Sequence, residues 1–312
     1  MINGILNIKK EAGYTSHDVV AKLRGILRQK KIGHTGTLDP DATGVLPVCL
    51  GRATRLCDLI GGWDKTYEAV LLLGKTTDTE DISGAVLSEA SVSLSEGEII
   101  KIIQSFEGEY QQVPPMYSAK KVGGKKLYEM ARAGIVIERK ACPVKIHKIK
   151  ILKAALPRVT FQVTCSKGTY IRSLCRDIGE KAGCGGCMEK LIRTRVAEFD
   201  IGEAYTLSDI EKMRDENMLR PAIKSIDSVF EKYPSLVVTG PAEKLLMNGN
   251  PIKKHSLPQT ETLKREGLIR VYNSGYHFIG LYQTEESSDQ IRPHKLFFDI
   301  TDVPGEKHGI YK

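Results

Sequence analysis

Val19, Val20, Leu23, Ile26 and Leu27 repeat at helical spacing, and the pattern predicts an α-helix capped by Ser16 and running to about Gln29. Arg28, Lys30 and Lys31 lie near its end. The period then stops at Gly33-His34-Thr35-Gly36-Thr37-Leu38-Asp39-Pro40-Asp41-Ala42-Thr43-Gly44, a stretch rich in glycine and hydroxyl residues. This composition predicts a shaped loop ahead of the apolar run Val45 to Leu50.

Tyr67 to Gly74 reads as a buried strand, whereas Val159, Phe161, Val163 and Cys165 alternate as a half-buried strand does. A mixed, largely antiparallel sheet follows. Beyond Ser166-Lys167-Gly168-Thr169 the period becomes helical again, with Ile171, Leu174 and Ile178 facing inward, so the chain turns sharply near Gly168. Val113-Pro114-Pro115-Met116-Tyr117-Ser118-Ala119 leads into Lys120, Lys121, Lys125, Lys126, Arg132, Arg139 and Lys140. So basic a segment predicts a projecting arm over about 113–140.

Near Tyr233-Pro234 the texture changes to a short helix, Ala242 to Met247, and short strands at Leu268 to Tyr272, Tyr276 to Tyr282 and Leu296 to Ile300. A chain of 312 residues exceeds the size at which one hydrophobic core usually keeps growing, so this change marks a boundary. We expect a larger α/β unit of the α+β type over 1–232 and a small β-rich unit over 233–312.

The 46 Lys and Arg outnumber the 38 Asp and Glu, giving a formal charge of +8 that suits a polyanionic partner and equally suits a solvated basic surface. Charge alone decides nothing. The seven scattered cysteines fit reduced thiols better than a disulfide framework. With no signal-peptide pattern in Met1 to Gly13 and no stretch of membrane-spanning length, a cytoplasmic location is expected.

The loop around Asp39 is the sharpest chemical signal: its glycines permit close backbone approach, and Thr35, Thr37 and Thr43 stand ready to brace one carboxylate. A phosphate cradle is excluded by the missing Gly-x4-Gly-Lys-Ser/Thr spacing. Taken alone, the loop fits either a catalytic or a structural turn. Cys184-Gly185-Gly186-Cys187 lacks the further ligands that a zinc site needs, so no metal is expected.

Gly33 to Pro47 resembles the signature of the TruB family of pseudouridine synthases. Further blocks match in the family's order: Lys65-Thr66-Tyr67, Thr77-Asp78-Thr79-Glu80-Asp81, Val113 to Lys121, Lys125-Lys126-Leu127-Tyr128, Ser166 to Arg172 and Leu191-Ile192-Arg193-Thr194. The resemblance implies a pseudouridine synthase fold, and Asp39 as the catalytic aspartate with Arg172 paired to it. It implies that Tyr67 stacks on the target base and moves a proton, and that Tyr170 and Leu191 form apolar pocket walls. His34 matches a residue that enters the T-loop where the flipped base had been, and Lys120, Lys121, Lys125 and Lys126 match an RNA-embracing insertion.

The substrate so implied is uridine 55 of tRNA, isomerised without cofactor or metal by a monomer that needs no protein partner. A related branch works with guide RNAs and protein partners, but the unbroken Gly-His-Thr-Gly-Thr-Leu-Asp run favours the stand-alone enzyme. A rival from another class is an RNA-binding tRNA folding factor with secondary or lost catalysis. The C-terminal unit, with its Asn248-Gly249-Asn250-Pro251 and Asn273-Ser274-Gly275 turns, resembles a PUA domain, which implies contact with the tRNA acceptor end. Two positions depart from the family: Cys187 stands where many members carry histidine, and Asp41 adds a carboxylate that raises the pKa of Asp39 unless it faces solvent.

Overall fold

A computed structural model describes residues 1–258 and 261–298. Eight strands form the main path of a ten-stranded sheet: β1 (Gly4–Lys10), β2 (Thr43–Leu50), β3 (Lys65–Leu73), β4 (Gly108–Gln112), β5 (Cys142–Ala155), β6 (Arg158–Cys165), β7 (Gly186–Val196) and β8 (Ile223–Lys224). Their order is β8-β1-β2-β7-β3-β6-β5-β4, with the short strands Ile32–His34 and Phe199–Asp200 paired to β2 and β7. Neighbours run antiparallel except where β7 meets β2, with Ile192 opposite Thr43 and Arg193 opposite Gly44. This is the mixed, largely antiparallel α+β sheet that the alternation predicts.

Gly44 makes that junction possible. Its φ is +108°, and a Cβ there would lie 2.1 Å from the Arg193 carbonyl oxygen, so any other residue would push β2 off β7. Because Tyr67 lies opposite Arg193, which lies opposite Gly44, the three share one face of the sheet. The helices α1 (Ser16–Ile26), α3 (Glu96–Gln104), α5 (Ile171–Lys181) and α6 (Leu207–Asp215) cover that face, leaving α2 (Cys57–Gly61) and the C-terminal unit on the other.

Helix α1 starts and stops earlier than the pattern predicts. Thr15 is the cap, in a reciprocal box with Asp18, and the helix ends at Ile26. Ser16 turns inward instead, its hydroxyl accepting from Leu38 N at 2.9 Å and so tying the helix to the Asp39 loop. At α5 the expected sharp turn is present, with Gly168 at φ +82°. No side chain caps the helix from within; Gln112 Oε1 accepts from Tyr170 N at 2.8 Å from across the sheet.

The basic arm has a buried root. Met116, Ser118 and Leu127 are 8 %, 4 % and 0 % exposed, so part of the segment expected to project is packed into the protein. Beyond the root, a hairpin pairs Lys121–Val122 with Lys125–Lys126 and leads into α4 (Leu127–Arg132).

The C-terminal unit is a five-stranded sheet of order β9-β11-β12-β13-β10, from β9 (Ser235–Val237), β10 (Ile252–Lys253), β11 (Gly267–Tyr272), β12 (Phe278–Thr284) and β13 (Gln290–Leu296). Together with α7 (Pro241–Met247) it encloses its own core of Leu236, Leu246, Ile269, Tyr282 and Ile291. Two strands are displaced from expectation. Tyr276 sits in the turn at φ +58°, so β12 begins at Phe278, and the last described strand ends at Leu296; Ile300 lies outside the described residues. Phe278, Leu281 and Phe297 pack with Phe230, Ile5 and Val45, which joins the small unit to the main sheet. Among the described residues no helix is long and apolar enough to cross a membrane.

Candidate active site

The Asp39 loop is pinned from four sides. Ser16 holds Leu38, Gly13 N and Lys10 Nζ both donate to the Pro40 carbonyl at 3.0 and 2.8 Å, and Thr35 N donates to Pro47 O at 3.2 Å. Arg193, 1 % exposed, reaches in from β7 and donates to Val45 O at 2.6 Å, Gly36 O at 3.3 Å and Thr37 O at 3.4 Å. A loop with so many fixed carbonyls is preorganised before any ligand arrives.

Asp39 faces Arg172, from the first turn of α5. Arg172 Nε lies 3.0 Å from Asp39 Oδ2, and Nη2 donates to Oδ1 at 3.1 Å, which makes a two-pronged ion pair. The remaining donors of Arg172 reach Thr79 O at 3.2 Å and Tyr117 O at 2.9 Å, with Asp81 Oδ2 3.8 Å away. Among the described residues none of Thr35, Thr37 and Thr43 hydrogen-bonds the carboxylate; its two-pronged partner is Arg172.

The Asp39 side chain keeps 37 % of its surface, yet the walls around it still push its pKa above the ordinary value. Desolvation is the main cause, Arg172 opposes it, and Asp81 adds to it. Asp41 is exposed and is no part of that balance, so the second carboxylate that matters is Asp81.

A cleft of about 280 Å³ opens over the pair. Tyr67, Tyr170 and Leu191 line it together with Asp39 and Arg172, so the five residues assigned to reaction and pocket converge in one place. Lys65, Tyr117, Ser118 and Arg193 complete much of the wall. Burial raises the Tyr67 pKa to about 12, against the pull of the Arg193 guanidinium opposite it. The same burial depresses Lys65 to about 8, with Arg193 adding to the effect, while its ammonium donates to Gly61 O at 3.0 Å and Trp63 O at 2.6 Å.

The other assigned residues lie outside the cleft wall. His34 ends the short strand before the loop, with its ring edge-on to His17 at 6.4 Å and its pKa lowered, chiefly by burial. Lys120 Nζ sits 2.6 Å from Cys142 Sγ, and Lys126 Nζ is 3.2 Å from the Tyr128 hydroxyl. Lys125 is exposed at the hairpin, and the Lys121 backbone pairs with Lys126.

Comparison with known proteins gives this cleft a lineage. Residues 24–171 match the model of the TruB family pseudouridylate synthase N-terminal domain, and residues 172–231 match that of the tRNA pseudouridylate synthase B C-terminal domain. The chain is 48 % identical to tRNA pseudouridine synthase B of Lachnoclostridium phytofermentans over 306 residues, covering 95 % of this chain and 100 % of that one. It is 47 % identical to the Clostridium kluyveri protein of the same name, with the same coverage of both chains.

The chain belongs to the TruB family of tRNA pseudouridine synthases.

As a TruB member it is an isomerase. Its fold is also that of a Cbf5-Nop10-Gar1 complex structure, at TM-score 0.72 and 27 % identity over 95 % of this chain and 85 % of that one. An H/ACA RNP bound to a substrate RNA containing 2'-deoxyuridine gives 0.71 and 26 %, over 96 % and 86 %. Within this TruB cleft the sequence reading missed Lys10, Lys65, Asp81 and Arg193 as site residues. The available signal was a charged residue at an inward position of a buried strand, as at Lys10 and Lys65.

Proposed function

We propose that the protein converts uridine 55 in the T-loop of tRNA to pseudouridine, with Asp39 as the catalytic carboxylate, Arg172 as its partner and Tyr67 as the residue that stacks on the base and moves a proton. The observation that carries the reading is the two-pronged Arg172–Asp39 pair in a cleft walled by Tyr67, Tyr170 and Leu191. The reaction breaks the N1–C1′ bond, turns the uracil and joins C5 to C1′; the C5 proton leaves and N1 gains one. Nothing is oxidised, so a carboxylate, a proton-transfer group and a pocket that holds the detached base supply the chemistry without cofactor or metal.

Such a cleft requires the uridine to leave its stack, at a cost of a few kcal/mol that pocket contacts must offset. In this reading His34 enters the T-loop and the arm lysines Lys120, Lys121, Lys125 and Lys126 hold the backbone. We place the catalytic unit at 1–232 and a PUA-like unit at 233–312 that meets the acceptor end, in a monomer acting without protein partners in the cytoplasm. The test is release of tritium from uracil C5 of a labelled T-loop hairpin and of full-length tRNA, beside RNA carrying cytidine at position 55. Release that depends on uridine 55 is the expected result. Binding without release would leave an RNA-folding factor as the better reading.

A further inference from the structure

Glu80 is a buried carboxylate with no place in the chemistry above. It is 7 % exposed and adopts a left-handed backbone, φ +64°, that L side chains rarely take. Its carboxylate accepts from Ser173 Oγ at 2.6 Å and pairs with Arg176 Nη1, both on α5 and flanking the turn that begins at Arg172. Arg139, on the return of the arm, lies 4.0 Å away.

We propose that Glu80 is a positioning residue for Arg172: it locks the segment 77–81 and the root of the arm onto α5, so that the guanidinium is aimed at Asp39. Both neighbours of Glu80 meet Arg172, Thr79 through its carbonyl at 3.2 Å and Asp81 through a carboxylate at 3.8 Å. The arm root is stitched down by Arg176 and Arg139, which flank Glu80, and by Arg172 beside them. Arg176 donates to Val113 O at 3.2 Å, Arg139 to Pro114 O at 3.0 Å and Arg172 to Tyr117 O at 2.9 Å. Glu80 supplies charge between Arg176 and Arg139; without it Arg176 keeps Asp177 at 2.6 Å and Glu180 at 3.8 Å, while Arg139 has no other ion pair among the described residues. The backbone pairs Met188 N to Glu80 O at 3.0 Å and Ile82 N to Met188 O at 2.9 Å, so β7 fixes the segment from behind while the side chain fixes it from the front.

The inference rests on Asp39 and Arg172 acting as proposed, and Asp39→Asn in the same assay separates the two. Glu80→Gly is the informative variant, because glycine takes a left-handed φ without strain and removes only the side chain. Single-turnover tritium release at saturating tRNA should slow about tenfold or more, with the tRNA Kd changed less than about threefold. The acid limb of the rate profile should move to higher pH, since a less well aimed Arg172 depresses the Asp39 pKa less. Glu80→Gln, which keeps the Ser173 contact but not the charge, should fall between Gly and wild type. A lower Tm with unchanged rate and unchanged acid limb would make Glu80 a structural brace and overturn the inference. Loss confined to Kd would assign it to RNA binding through the arm and overturn it equally. Full turnover by Asp39→Asn would remove the parent reading, and this one with it.

Discussion

Tyr67 and Arg193 occupy directly opposed positions on β3 and β7, and the guanidinium is the positive charge that acts on the buried phenol. The arginine is the nearest compensation for burying that hydroxyl, and it is itself held by three backbone carbonyls. The pair couples the wall of the cleft to the Asp39 loop.

Substitution at Tyr67 separates stacking from proton transfer. Tyr67→Leu should lose about 1 to 3 kcal/mol, the range for base–aromatic stacking. Tyr67→Phe keeps the ring and should lose about 10²-fold in the chemical step while still binding RNA. Pre-steady-state turnover at saturating tRNA is the measurement. A Phe variant of wild-type speed would leave Tyr67 as a stacking platform.

If Asp39 has the proposed role, Asp39→Asn should abolish turnover while leaving tRNA affinity within several-fold, because the lost charge would act on the transition state. In the wild type the reactive ionised form disappears as pH falls through a pKa held above the ordinary aspartate value. The acid limb of single-turnover activity should therefore lie above the pH of about 4 set by a free aspartate. An acid limb at or below that value would count against Asp39 as the titrating group.

How much of this was legible beforehand follows from range. The strand alternation, the turn at Gly168 and the loop around Asp39 are local patterns, readable over a dozen residues. The cap fell one residue away from expectation because Thr15 and Ser16 are equally good capping types, and only burial against Leu38 tells which turns inward. Lys10, Lys65 and Arg193 were harder. A cation is read as surface unless carbonyls enclose it; those at Pro40 for Lys10 and at Gly36 and Val45 for Arg193 are gathered only by the fold, whereas Lys65 turns back on Gly61 and Trp63 just before it.

The arm lysines divide on the same grounds. Lys125 is exposed, whereas Lys120 is engaged with Cys142. Lys125→Gln should lower the slope of log affinity against log salt by roughly 0.7 to 0.9, and Lys120→Gln by much less. Filter binding of tRNA across a salt series reads both slopes. Equal and negligible changes would make the hairpin an ordinary solvated surface.

Lys65 predicts a stability signature. Its folded pKa of about 8 lies below that of an unfolded lysine, so the unfolded chain binds more protons as pH passes between the two values. Stability contributed by this group therefore rises with pH through that window, by at most about 1.4 kcal/mol per pH unit. Lys65→Met should flatten the rise between pH of about 8 and 10 in denaturant titrations. An unchanged pH slope would mean that Lys65 is well hydrated in solution.

The parallel meeting of β2 and β7 also sets an order of assembly. Arg193 holds carbonyls that lie 148, 156 and 157 residues earlier in the chain, and Arg172 reaches Asp39 across 133. Contacts of such separation close large loops and form late. During synthesis the Asp39 loop leaves the ribosome long before the strand that will hold it, so a nascent chain that stops short of β7 carries Asp39 in an unshaped loop. Activity is thereby tied to completion of the sheet, and a truncated chain has the residue without the enzyme.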